Sequence, residues 1–378
     1  MDKRIAILTQ PLIFNYGGLL QNYALQIVLQ SYGAEAVTIN RLHKKGDAEI
    51  YLGMVKQILR SHHDNKILSN KKLSAIYQNT RRFIDTHIKV IDVENATEMD
   101  LMKICENNFD AVIVGSDQVW RPEYSRNIYF DFFSFLEENT KIKKYSYAAS
   151  FGTDNWLFSK EQTERCKTLI QKFCAVSVRE DSGVILCNQH LSKEAINVLD
   201  PTLLVDRDIY ANLCSNLTKI ETSQKVLFTY VLDQSESKTE IVNEVVESYG
   251  YLQTSNQPVY TLQGNRQIKF NLDDFIYPSV EGWLKGFRDA DLIITDSFHG
   301  TVFSIIFNKP FYAIINEERG ASRFSSLLSK LGLENRLIND NQIITEEMIS
   351  EVIDYKAVNS KLEVLKNNSL DFIKTIIS

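Results

Sequence analysis

The short apolar run Leu292-Ile293-Ile294-Thr295 stops at Asp296-Ser297 and passes without a linker into Phe298-His299-Gly300-Thr301-Val302-Phe303-Ser304-Ile305. A continuous run of this kind is the pattern of a strand buried on both faces in a parallel sheet. The polar break then opens a helix. The first free N–H groups of a helix point outward with the positive end of its dipole behind them, so phosphate or carboxylate is favoured at such a junction. His299, Ser297 and Asp296 crowd the same place. The plainer alternative is that Asp296 or Ser297 only caps the helix and His299 covers its first turn.

The same grammar recurs along the chain. Ile5 to Thr9 reads as a buried strand, followed by a turn through Asn15-Tyr16-Gly17-Gly18, a helix from Leu19 to about Tyr32, a stop at Gly33 and a strand from Ala36 to Asn40. This is the opening of a parallel α/β sheet. Asp110-Ala111-Val112-Ile113-Val114 feeds the loop Gly115-Ser116-Asp117-Gln118. Tyr145 to Ala149 ends at Ser150-Phe151-Gly152, and Ala175 to Val178 ends at Arg179-Glu180-Asp181-Ser182. Beyond Pro201 a second series begins: strand Val226 to Val231, helix Glu236 to Tyr249, strand Val259 to Leu262, helix Val280 to Ala290, strand Leu292 to Thr295, helix Thr301 to Phe307 and strand Phe311 to Ile315. Helices at Ser325 to Leu331 and Glu346 to Ile377 finish it, while residues 47 to 104 predict helices with polar connections. A chain of 378 residues exceeds what one core usually supports. The expected architecture is α/β, with two Rossmann-like lobes at 1–205 and 206–345 and a helical tail at 346–378 that packs back on the first lobe. Ligands of open parallel sheets bind beyond the carboxyl ends of the strands, so the site is expected in the cleft between the lobes.

Composition removes several classes of function. The net charge is −6 and the basic residues are scattered, which disfavours nucleic acid as a partner. No apolar run approaches the ~18 to 20 residues that span a bilayer. The N-terminus enters a short strand directly, without a signal peptide, which predicts a cytoplasmic protein and leaves peripheral membrane contact open. Cys105, Cys166, Cys174, Cys187 and Cys214 show no C-x-x-C, so neither a disulfide framework nor a zinc site is expected. The glycine turn is not G-x-G-x-x-G, and the second strand ends at Asn40 rather than an acidic ribose ligand, which disfavours NAD. Walker A, H-E-x-x-H and G-x-S-x-G patterns are absent. Asp206-Arg207-Asp208 has a D-x-D form but follows the lobe junction rather than a strand. It reads as a solvated helix start, and no catalytic metal is expected.

Four loops carry groups suited to an anion. Arg179 directly follows an apolar strand, where a guanidinium can grip carboxylate or phosphate with two parallel N–H bonds. Its alternative is an ion pair with Glu180 or Asp181. Ser116 and Asp117 end another strand and could instead be helix caps. Glu318-Arg319-Gly320-Ala321-Ser322-Arg323 follows a third, so Arg319 or Arg323 can reach the cleft. Gly17 and Gly18 allow close backbone approach to a ligand.

Taken in order, these segments resemble the polysaccharide pyruvyl transferases. The matching residues are Asn15-Tyr16-Gly17-Gly18 with Leu20-Gln21 and Tyr23-Ala24-Leu25-Gln26, Val114-Gly115-Ser116-Asp117-Gln118-Val119-Trp120, Tyr147-Ala148-Ala149-Ser150-Phe151-Gly152, Val176-Ser177-Val178-Arg179-Glu180 and Leu199-Asp200-Pro201-Thr202. Thr295-Asp296-Ser297-Phe298-His299-Gly300, Asn308-Lys309-Pro310-Phe311 and Ser322-Arg323-Phe324 continue the series. The resemblance implies a GT-B-like fold. It also implies transfer of the enolpyruvyl group of phosphoenolpyruvate onto two hydroxyls of a sugar, in a polysaccharide or lipid-linked precursor, forming a pyruvate ketal and releasing phosphate. No cofactor is implied beyond that donor. Cytoplasmic assembly of bacterial capsule or exopolysaccharide is the implied setting. His299 and Arg179 inherit the catalytic assignment, His299 as acid/base or phosphate contact, with Asp296 or Ser297 orienting its imidazole. Asn15, Gly17, Gly18, Gln21, Ser116, Asp117 and Ser150 of the first half inherit substrate binding, as do Asp296, Ser297, Gly300 and Arg323 of the second. The competing expectations are a nucleotide-sugar glycosyltransferase on the same architecture and a non-catalytic glycan-binding protein.

Overall fold

The computed structural model describes residues 3–43, 70–139, 141–259, 271–315 and 321–378. Two parallel sheets organise the chain. The first contains β1 (Lys3–Leu8), β2 (Ala34–Leu42), β3 (Val90–Glu94), β4 (Ala111–Val114) and β5 (Lys143–Ser146) in the order β3-β2-β1-β4-β5. A short parallel pair, β6 (Ser177–Val178) and β7 (Ile196–Asn197), continues it through bridges from Tyr145 to Ala175 and from Ala149 to Val178. The second sheet contains β8 (Val226–Tyr230), β9 (Leu252–Ser255), β10 (Leu292–Thr295), β11 (Phe311–Ile314) and β12 (Leu337–Ile338), ordered β12-β11-β10-β8-β9. Every residue of β4, β8, β10 and β11 is buried. Helices cover both faces, so the strands carry apolar side chains on each.

The helices are α1 (Tyr16–Ser31), α2 (Asn70–Ile76), α3 (Gln78–His87), α4 (Glu98–Asn108), α5 (Lys160–Ile170), α6 (Asp181–Leu191) and α7 (Arg207–Leu213). They continue with α8 (Glu236–Tyr249), α9 (Val280–Asp289), α10 (Phe298–Ile306), α11 (Ala321–Leu331), α12 (Glu346–Ser350) and α13 (Tyr355–Ile377). Several elements differ from the sequence expectation. Gly17 and Gly18 are not a turn but the first turn of α1, and neither has a positive φ. β9 at Leu252–Ser255 was not foreseen, and of the strand expected at Val259 to Leu262, residues 260–262 lie outside the described ones. The single helix expected over 346–377 is broken, because the Asp354 side chain accepts the N–H groups of Lys356 and Ala357 and restarts it as α13. β3, β7 and β12 were not foreseen either. Asp206 precedes α7 as a solvated residue, in line with its reading as a helix start.

Each sheet reverses its winding once, between β1 and β4 in the first and between β8 and β10 in the second. Loops diverge at such switch points and leave a crevice at the carboxyl ends of the strands. One apolar cluster crosses from lobe to lobe and presses the two crevices together. Tyr16, at the start of α1, stacks on Trp283 of α9 with ring centroids 5.6 Å apart and donates its hydroxyl to the Pro278 carbonyl at 2.8 Å. That anchor holds the first turn of α1 against the second lobe. Helix α13 returns to the first lobe, where Ser369 Oγ accepts the Leu199 N–H at 2.9 Å and Lys3 donates to the Ile376 carbonyl at 2.8 Å. Among the described residues no helix is long and apolar enough to cross a membrane.

Candidate active site

The loop after β4 turns sharply, with Gly115 at φ 123° and Asp117 at φ 72°. Aspartate tolerates the left-handed region better than most residues, and a non-glycine residue held there is a common mark of a functional loop. Three predicted substrate ligands brace this loop instead of facing a cleft. Gln21 is fully buried; it donates to Thr9 Oγ1 and the Gly18 carbonyl and accepts the Ser116 N–H at 3.1 Å. Ser116 donates to the Ala148 carbonyl at 3.0 Å, and Ser150 donates to Glu180 at 2.9 Å. Both serines are completely buried. Their polar atoms are occupied by the protein because strand-end loops without regular pairing must satisfy their backbone and hydroxyl groups locally.

Arg179 follows β6 as expected, but its guanidinium does not reach outward. Nη1 lies 2.6 Å from Asp200 and Nη2 lies 3.4 Å from Asp117, and the side chain is 1% exposed. Neither Glu180 nor Asp181 is its hydrogen-bonded partner. Glu180 accepts from Ser150 and the Phe151 N–H, while Asp181 is taken by Ser326 and Lys330 of α11. In the sequence Asp200 is marked only by its place in Leu199-Asp200-Pro201-Thr202, yet in the structure it is the hub. Its Oδ1 accepts the Thr202 hydroxyl and N–H at 2.7 and 3.0 Å, and its Oδ2 faces Arg179, Ser116 and His299.

His299 enters from the other lobe in the first turn of α10. Its Nε2 lies 3.3 Å from Asp200 Oδ2, although the pair is not aligned as a hydrogen bond. Its other edge rests on α1. A Cβ added to Gly17 would sit 2.1 Å from His299 Nδ1, so the glycine supplies room for the imidazole rather than an unusual φ. Gly18 faces Asn15, whose amide donates to Asp117 at 3.2 Å and leaves α1 without a side-chain cap. Ser297 caps α10 by accepting the Gly300 N–H, which is the plainer of its two predicted roles. Gly300 permits close packing on Thr295. The expectation that Asp296 or Ser297 orients the imidazole is corrected here. Asp296 is fully buried and accepts from the Leu232 and Asp233 N–H groups and from Lys238 at 2.7 Å, so it organises the loop after β8.

Phe298 was not predicted and contacts two cations. Arg179 lies 4.5 Å and Arg323 5.5 Å from its ring centre, within cation–π range of the same side chain. Arg323 therefore joins the cluster from α11, while Arg319 lies outside the described residues. Burial, followed by the neighbouring Arg179 charge, lowers the Arg323 pKa to about 10, so it remains cationic at neutral pH. Burial pushes the Glu180 carboxyl up against the opposing pull of Arg179 and Arg323. Burial acts on Asp200 in the same direction but is outweighed by His299, Arg179 and Thr202, which hold its carboxyl well below the usual range. The result is a water-poor junction where two helix N-termini, two guanidiniums and an imidazole meet the carboxyl groups of Asp200, Asp117 and Glu180. Such an arrangement can bind an anion and hold a proton carrier in place. A separate groove of about 610 Å³, lined by residues including Tyr23, Arg82, His87 and Glu281, lies along the middle of α1 and not at its His299 end.

The architecture is shared with sugar-modifying enzymes of the GT-B fold. The N-terminal domain of Candida albicans trehalose-6-phosphate phosphatase superposes with TM-score 0.52 at 12% identity, covering 100% of this chain and 97% of that one. UDP-GlcNAc 2-epimerase of Methanocaldococcus jannaschii gives 0.50 at 13% identity over 97% and 93% of the two chains. Medicago truncatula UGT71G1, complexed with UDP-glucose, gives 0.50 at 10% identity over 100% and 98%. At these identities the likeness shows the fold alone. A comparison with curated protein sequences finds no match. A sequence profile does match residues 15–318, from the uncapped start of α1 past His299, and by it the chain belongs to the polysaccharide pyruvyl transferase family.

Proposed function

We propose that the protein transfers the enolpyruvyl group of phosphoenolpyruvate onto two hydroxyls of a sugar, free or lipid-linked, in cytoplasmic polysaccharide assembly. The observation that carries this reading is His299, wedged against the uncapped N-terminus of α1 with the Arg179–Asp200 pair behind it. The donor brings a phosphate and a carboxylate, and the α1 N-terminus, the α10 N-terminus and Arg323 supply positive potential for both. His299 is the proton carrier, because an imidazole can both donate and accept a proton through its ring nitrogens.

The donor is an enol phosphate, and the transfer balances on it. The CH₂ carbon of the donor takes a proton and becomes a methyl group, leaving an oxocarbenium-like centre at the adjacent carbon. One sugar hydroxyl attacks that centre and loses its proton. The C–O bond to phosphate breaks, and the second hydroxyl closes the ketal as its proton leaves with inorganic phosphate. Asp117, which accepts from Asn15 and faces Arg179, is assigned to the acceptor in this reading.

The test is phosphate release from phosphoenolpyruvate across galactose-, glucose- and mannosamine-type acceptors, free and lipid-linked, with the ketal identified in the product. Turnover of nucleotide sugars, with none of phosphoenolpyruvate on any acceptor, overturns the reading. His299→Ala is the clean variant, since it leaves Asp200 paired with Arg179. Arg179→Ala is also expected to be inactive but strands two buried carboxylates at a cost of about 3–5 kcal/mol, so it speaks to folding as much as to chemistry.

A further inference from the structure

We infer that Asp200 is a positioning residue for His299: its Oδ2, held by Arg179, fixes the imidazole with Nε2 as the protonated nitrogen and Nδ1 turned to the first turn of α1. Three observations carry this. Oδ1 is pinned by two bonds from Thr202, so the carboxylate cannot swing away. Oδ2 is 2.6 Å from Arg179 Nη1 and 3.3 Å from His299 Nε2, and the carboxylate is completely buried. His299 Nε2 is itself buried without an aligned hydrogen bond, and Asp200 is the anion within 4.0 Å of it among the described residues. A buried N–H needs an acceptor, and this carboxylate is the one in reach. On the opposite edge, the ring is stopped by Gly17, whose missing side chain sets how deep the imidazole sits. Asp200 belongs to the first lobe and His299 to the second, so the orientation exists only when the lobes meet.

The aspartate of a catalytic triad acts in the same way, holding tautomer and orientation without itself taking the proton. The persistent charge on Asp200 agrees with that role. The proposal relies on the pyruvyl-transfer reading for its kinetic readout alone. Protein carrying ¹⁵N-histidine, with His299→Gln used to assign the signal, reports which ring nitrogen holds the proton in the neutral imidazole. The unaltered protein is expected to show Nε2–H. Asp200→Asn is expected to lose that preference and Asp200→Glu to regain part of it. In turnover, Asp200→Asn lowers kcat by about 10²- to 10⁴-fold while KM for phosphoenolpyruvate changes by less than about threefold. An Nδ1–H tautomer in the unaltered protein overturns the proposal, whether or not the variants fold. So does a folded Asp200→Asn that keeps the Nε2–H form. If the tautomer behaves as expected and phosphoenolpyruvate is never turned over, the positioning role stands and the donor assignment falls.

Discussion

Replacing Gly17 by alanine isolates the contact on which the site depends. The new Cβ would lie 2.1 Å from His299 Nδ1, 2.2 Å from its Cγ and 2.7 Å from its Cβ. Ordinary contact begins at 3.4 Å, so the imidazole or the first turn of α1 must move by about 1.3 Å. The stability cost is small, because overpacking of ~1–3 kcal/mol is offset by up to ~1 kcal/mol of helix propensity. The functional cost is large: a misplacement of about 1 Å at a reacting group is worth roughly 100-fold in rate. Gly17→Ala is therefore expected to fold normally by circular dichroism and to lose at least about 100-fold in kcat/KM for phosphate release. Gly18→Ala is the comparison, since its Cβ would meet Asn15 at 3.2 Å and not the imidazole. A folded Gly17→Ala within about threefold of the parent rate would refute the wedge geometry, because a displaced imidazole would then be as active as the native one.

Two further outcomes concern the buried charges. Asp296→Asn removes the partner of Lys238 and weakens the grip on the Leu232 and Asp233 N–H groups, so thermal or denaturant unfolding should show a loss of about 3–5 kcal/mol. An unchanged transition would mean that the loop after β8 does not depend on this pair. The acid side of the stability curve should depend on Asp200. Its folded pKa is depressed below the unfolded value of about 3.9, so its contribution is complete above that pH and fades as the pH falls beneath it. Denaturation measured between about pH 5 and pH 2 should show a shallower decline in Asp200→Asn than in the parent. Parallel curves would show that Asp200 is not a main source of acid sensitivity. Glu180 works in the opposite sense, since its raised pKa makes its charged form costly as the pH rises above the ordinary carboxylate range.

The strands that could be read from sequence are those buried on both faces. β4, β8, β10 and β11 are unbroken apolar runs, and α8 carries ordinary capping at Ser235. β9 could not be placed because it is an edge strand with alternating partial exposure, and Leu252-Gln253-Thr254-Ser255 offers no apolar run. Arg179, Asp117 and His299 stood out as candidates because each lies shortly after the end of a strand, where a parallel sheet delivers its loops. Gln21, Ser116 and Ser150 share that neighbourhood but turned out to be braces, since adjacency in sequence does not say which way a side chain faces.

By itself, then, the sequence determined the βα order, the strand-end location of the polar groups and the family, because buried parallel strands and helix starts leave local patterns. Only the tertiary structure decided which carboxylate serves the histidine. Asp296 is three residues from His299 but is turned toward Lys238, whereas Asp200 arrives from the other lobe. Only the tertiary structure, too, explains Gly17, whose reason is a side chain from the second half of the chain. Both depend on two sheets meeting at their switch points through the Tyr16–Trp283 contact, a long-range packing event that no local pattern encodes.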